Sequence, residues 1–192
     1  MYEDLIKIII QKLRKKKSKN SYTEENIRKK LELLAHYILP SDLPKLLRHP
    51  EVFTLDQTTL EHRIEYLIDM FGRKAVATAP SLLTYDPSTT ENKIKELKSI
   101  FNKSRDEIKN LILEFPKILT YNPYTIKRKI EILARELSLP YIKAVEFVYG
   151  NPRILSRSEE VIKYIIKKCG ALVLEKPSLF YKSKEKIEEI CK

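Results

Sequence analysis

Pro80-Ser-Leu-Leu-Thr-Tyr-Asp-Pro87 and Pro116-Lys-Ile-Leu-Thr-Tyr-Asn-Pro123 are two copies of one phrase, 36 residues apart. Its opening recurs as Pro50-Glu-Val-Phe53, Pro152-Arg-Ile-Leu155 and Pro177-Ser-Leu-Phe180. The register continues past the proline. The sixth position after it is Asp56, Asp86, Asn122, Ser158 or Ser183, all side chains that cap helix N-termini. The fourteenth is Ile64, Ile94, Ile130, Ile166 or Cys191, and the seventeenth is Leu67, Leu97, Leu133 or Cys169. Prolines spaced by 30, 36, 36 and 25 residues mark an array whose units bury their apolar sides against neighbours. Thr23, Leu31 and Leu34 fit the same frame with Lys17 in the proline's place, giving about five and a half units.

Each unit reads as two helices. Proline ends the first, because it donates no amide hydrogen and pushes its predecessor out of helical geometry; the two apolar residues then plug the turn. The first helix is clearest at Ser104-Arg-Asp-Glu107, a capping box followed by Ile108, Leu111, Ile112 and Phe115. Counterparts are expected at 44–49, 74–79, 140–149 and 171–176. Gly72 and Gly170 read as helix stops and Gly150 as part of a turn before Asn151-Pro152. Leu5, Ile6, Ile9 and Leu13 predict an amphipathic helix over residues 2–17. A second helix capped by Ser21 or Thr23 is predicted to carry Ile27, Leu31, Leu34 and Ile38 inward until Pro40 stops it. The expected fold is an all-α helical-repeat solenoid, of either hand, with a basic concave face. Residues 1–20 form a basic helix and arm, and residues 21–192 a single repeat domain.

With 37 Lys and Arg against 26 Asp and Glu, the formal charge is +11, which favours a polyanionic partner; the alternative is a lysine-rich surface serving solubility. Cys169 and Cys191 fall on apolar positions of the frame and read as buried thiols. No apolar run approaches the roughly 20 residues that cross a bilayer. His36, His49 and His62 lack a ligand spacing, and three scattered glycines build no phosphate loop, so neither an enzyme nor a metal, cofactor or small-molecule site is expected.

The two quoted phrases, each followed by an Ile-x-x-Leu helix, resemble the repeats of the mitochondrial transcription termination factor family. The likeness covers residues 41–192 and extends weakly back to 17. It implies stacked helical pairs whose positive inner face follows a nucleic-acid duplex, with roles in transcription, its termination, or ribosomal RNA maturation. The chain is short for the family, and its start, Met-Tyr-Glu-Asp, lacks an evident targeting segment. The expected setting is the cytoplasm or nucleoid of a prokaryotic or viral source, or an organelle if the chain is a processed eukaryotic form.

At about 100° per residue, the thirteenth position lies at the edge of the apolar stripe. Arg63, Lys93 and Lys129 occupy it in three consecutive repeats, with His62 and Arg128 beside them. Stacking would string these cations into a row suited to phosphates, unless they are solvated charges paired with nearby glutamates. Further candidates are Arg48, Arg73, Lys74, Arg105, Lys117, Arg153 and Arg157 at turns, and Lys15, Lys16 and Lys17 as an unspecific phosphate-attracting arm. Tyr85 and Tyr121 could stack on bases or pack between repeats, as Leu55 does in the same slot. The resulting expectation is a monomer that binds duplex DNA and acts in transcription control or genome maintenance. Structured RNA is the near alternative, and a protein-binding repeat scaffold the distant one. On this reading, Ala at Arg63, Lys93 and Lys129 together weakens DNA binding and leaves melting unchanged.

Overall fold

The capping side chains do what their types dictate. In the computed structural model of the chain, which describes residues 3–15, 23–39 and 41–191, Asp56 accepts from the amide of Thr59 at 2.8 Å and Asp86 from that of Ser88 at 2.8 Å. Asn122 accepts from Tyr124 at 2.8 Å, while Ser158 and Ser183 accept from Val161 and Lys186 at 3.4 Å. Behind these caps run helices α4 (Gln57–Phe71), α6 (Pro87–Phe101), α8 (Pro123–Glu136), α10 (Glu159–Cys169) and α12 (Lys184–Ile190). Thr23 caps α2 (Glu24–Ala35) in the same way, accepting from Asn26 at 3.2 Å, and α1 (Glu3–Lys15) precedes it. Helix α2 ends before the expected Pro40, which lies outside the described residues; Ile38 is buried beyond the helix end.

The other helix of each pair is α3 (Leu43–Leu46), α5 (Lys74–Thr78), α7 (Arg105–Glu114), α9 (Tyr141–Gly150) or α11 (Leu172–Glu175). The predicted capping box holds α7, with Ser104 and Glu107 bonded reciprocally. Between the two helices of each repeat the chain makes a five-residue 3-10 turn: Pro50–Thr54, Pro80–Thr84, Pro116–Thr120, Pro152–Ser156 or Pro177–Tyr181. Both plug residues of every turn are buried, from Val52 and Phe53 to Leu179 and Phe180. No strand occurs among the described residues.

The chain divides into two compact units, residues 1–92 and 93–192, the division falling inside α6. In the first, α1 packs on α2 and on the Pro50–Thr54 turn, burying Ile6, Ile9 and Leu13; Lys12 donates to the Leu47 carbonyl at 2.6 Å. In the second, α8 packs on α9 and α10, and α10 on α11 and α12.

Two details depart from the sequence reading. Cys169 and Cys191 are joined in a disulfide, with Cα atoms 4.9 Å apart, so they are not free buried thiols. The reason lies in the repeat frame itself: the seventeenth position of one repeat and the fourteenth of the next both face the seam between α10 and α12. Sulfur at both positions therefore meets within bonding reach. Gly72 and Gly170 close α4 and α10 at φ +83° and +55°, whereas Gly150 ends α9 without a left-handed turn. After α6 and α8 the same left-handed role falls to Asn102 and Ser138, at φ +51° and +52°.

Hydrogen bonds from the Thr59 hydroxyl and amide hold the Asp56 carboxyl below its ordinary value of 3.8, and Ser88 does the same for Asp86. A carboxylate with a depressed folded pKa contributes stability above its ordinary value and loses it as pH falls through the folded one. Acid titration below 3.8 should therefore loosen α4 and α6. An Asp56→Asn, Asp86→Asn variant keeps both caps, as Asn122 does naturally, and should melt with a flatter acid dependence in circular dichroism. An unchanged acid profile would remove these two groups as its source.

Candidate nucleic-acid interface

Each 3-10 turn leaves backbone carbonyls to be satisfied, because its chain becomes extended at the fifth position after proline. The carbonyl of the first position accepts from the fourth-position hydroxyl: Thr54 on Glu51, Thr84 on Ser81, Thr120 on Lys117 and Ser156 on Arg153, each at 2.7 Å. The second accepts from the fifth-position amide, as Tyr85 donates to Leu82 and Tyr121 to Ile118. In four of the five turns the third accepts from a basic side chain of the preceding repeat. Lys30 reaches the Phe53 carbonyl at 2.8 Å, Arg63 that of Leu83 at 3.0 Å, Lys129 that of Leu155 at 2.6 Å and Arg157 that of Phe180 at 2.6 Å.

Lys30, Arg63 and Lys129 share the thirteenth position, where the expected phosphate row was Arg63, Lys93 and Lys129. Two of that row's three members thus hold the next turn in place. Lys129 is only 8 % exposed and lies 5.5 Å over the Tyr121 ring; burial lowers its pKa, Lys117 adds to that, and Glu159 opposes it. Lys93, with 17 % of its side chain exposed, pairs with Glu96 at 2.9 Å. In the fourth repeat the thirteenth position is Ile165, and the donor moves to Arg157 at the fifth, where the third repeat has Tyr121. The pair Tyr121 and Lys129 is exchanged for Arg157 and Ile165. Tyr121 stacks on Phe115 at 6.2 Å and packs inside the repeat.

The remaining candidates divide by engagement. Arg128 grips Glu159 at 2.8 Å, and Arg73 donates to the His36 carbonyl with its guanidinium 5.9 Å over Tyr37. His62, Arg48, Lys74 and Arg105 are exposed, as are Lys117 and Arg153 at the first position of their turns. Lys15 closes α1, while Lys16 and Lys17 lie outside the described residues.

The charge is unevenly placed. The first unit, residues 1–92, holds 15 Lys and Arg against 13 Asp and Glu. Seven of those cations precede residue 23, so residues 23–92 hold eight against eleven, whereas residues 93–192 hold 22 against 13. In the second unit, Tyr164 on α10 separates two depressions. One, of about 560 Å³, is lined by Lys163, Lys167, Glu136 and Ser138 among others; the second, of about 400 Å³, by Arg157, Lys182, Lys184 and Glu160 among others. Lys163, Lys167 and Lys182 are exposed and form no ion pair among the described residues, and Lys184 lies 5.4 Å over the Tyr164 ring.

Lys163 recurs as Lys127 at the eleventh position, Lys167 as Lys95 at the fifteenth and Lys182 as Arg157 at the fifth, but other residue types fill these positions elsewhere, so no unbroken row marks them. A count of charge by repeat, in place of a search for periodic cations, finds them.

No curated protein matches the chain. The mTERF family model matches residues 3–180, nearly the whole run of capped helices and proline turns, and the chain belongs to the mTERF family.

Proposed function

We propose that this chain binds nucleic acid, duplex DNA ahead of structured RNA, through exposed cations of its second unit clustered about Tyr164. Membership of the mTERF family suggests nucleic-acid binding, and members are generally non-enzymatic. The observation that carries the location is the charge division: the repeats of residues 23–92 are acid-rich, and those of residues 93–192 strongly basic. Lys163 and Lys167, one helical turn apart, together with Lys182 and Lys184 across Tyr164, offer exposed ammonium groups to phosphates. The contacts are to the backbone, which positions the chain on a duplex without reading sequence. A role in transcription or its termination, in an organelle or elsewhere, would act through this surface.

Fluorescence anisotropy against duplex DNA, single-stranded DNA and duplex RNA tests the reading. With about six phosphates neutralised, log affinity against log salt should slope near −5 on duplex DNA. Changing Lys163, Lys167, Lys182 and Lys184 to Gln should weaken binding by about two to three orders of magnitude near physiological salt and flatten the slope by about 3, whereas Arg48→Gln with Lys74→Gln changes little. Absence of binding at low salt removes the function; an unaffected quadruple variant removes the site.

A further inference from the structure

We propose that the Cys169–Cys191 pair is a redox latch: its reduction releases α12 and lowers the nucleic-acid affinity of the second unit. The inference rests on the preceding reading for its functional half only.

Helix α12 has seven residues, below the length at which a helix sustains itself, and one buried side chain, Ile187. Its other ties are exposed. The Tyr164 hydroxyl donates to Glu188 at 2.8 Å, and Lys184 lies over the same ring. Contacts of this kind hold weakly in water. The disulfide, by contrast, fastens Cys191, the C-cap of α12, to the last residue of α10.

The loop closed by the bridge also contains α11 and the Pro177–Tyr181 turn, but these have anchors of their own. Val173, Leu179 and Phe180 are buried, and Arg157 holds the Phe180 carbonyl. Breaking the bridge therefore frees α12 without dismantling the repeat. Lys184 and Ile187, on α12, form part of the wall of the 400 Å³ depression, so Lys184 leaves that surface with α12, while Lys182, whose amide donates to Leu179, stays with the Pro177–Tyr181 turn.

The chemistry is thiol–disulfide exchange with a dithiol reductant. Its thiolate attacks one sulfur to give a mixed disulfide and expels the other cysteine as thiolate. The second thiol then resolves the mixed disulfide, so two electrons and two hydrogens pass to Cys169 and Cys191 while the dithiol becomes a disulfide.

Hydrogen exchange by mass spectrometry on the oxidised chain, the dithiothreitol-reduced chain and a Cys191→Ser variant tests the latch. The amides of α12 should exchange at least about tenfold faster in the last two, with the Pro177–Tyr181 turn unchanged. Duplex DNA affinity should fall roughly fivefold in the same two forms and return on reoxidation of the native chain only. Equal α12 protection in all three forms overturns the latch, whatever binds. Faster exchange with unchanged affinity overturns its coupling to binding. If the oxidised chain binds no duplex at low salt, the proposed function fails, and that coupling with it, while the exchange data still decide the latch.

Discussion

Aspartate at Ile130 is expected to unfold the second unit. Ile130 is fully buried on α8, which packs against both α9 and α10. The nearest basic residue in sequence, Lys129, already spends its ammonium on the Leu155 carbonyl. A carboxylate there has no partner, and burying it unpaired costs several kcal/mol, comparable with the stability of a domain of this size. The helical signal of residues 93–192 should be lost, with amides of α8, α9 and α10 exchanging at unfolded rates. Ile130→Val, which removes one methylene, should cost only about 1 kcal/mol and keep every cap. If Ile130→Asp melted within a few degrees of the parent, the fourteenth position would not be the seam of the array.

The second large effect concerns Lys129. Removing it as Lys129→Ala leaves the Leu155 carbonyl without its donor inside the repeat, which costs about 1–3 kcal/mol and lowers melting by roughly 5–15 °C for a unit of this size. The sequence alone suggests the reverse, loss of DNA affinity with unchanged melting, because a periodic cation reads as a phosphate ligand. The fourth repeat supplies the control. A Tyr121→Arg, Lys129→Ile variant copies Arg157 and Ile165 and should recover most of the lost melting temperature. Duplex binding should barely change in either variant. A Lys129→Ala chain that melts normally but binds weakly would return the row to phosphate duty.

What could be read from the sequence was whatever the repeat enforces locally. Caps, prolines and plugs act within a few residues, so Asp56, Asp86, Asn122, Ser158 and Ser183 were legible one by one. The hydroxyl at the fourth position is equally regular, yet its purpose appears only once the 3-10 turn shows a carbonyl within reach. The partners of Arg63 and Lys129 lie 20 and 26 residues away, in the backbone of the following repeat, which carries no sequence signal. The bridge between Cys169 and Cys191 was hidden for a related reason: two positions were each recognised as internal, but that they confront one another depends on how α10 and α12 pair. Of the cations around Tyr164 only Arg157 stood among the sequence candidates, because Lys163, Lys167 and Lys182 share their positions with basic residues in few other repeats and form no unbroken row.

The joint between a basic side chain and the next turn's third carbonyl has a genealogical corollary. Its acceptor is main chain, which every residue supplies, so the receiving module needs no matching substitution. Unequal crossing-over could insert or excise a whole module and, wherever the module before the splice carries a donor, leave the joint chemically complete. Lineages could thus lengthen or shorten the array in single genetic events, with only the donor's address, fifth or thirteenth, travelling inside the module that carries it.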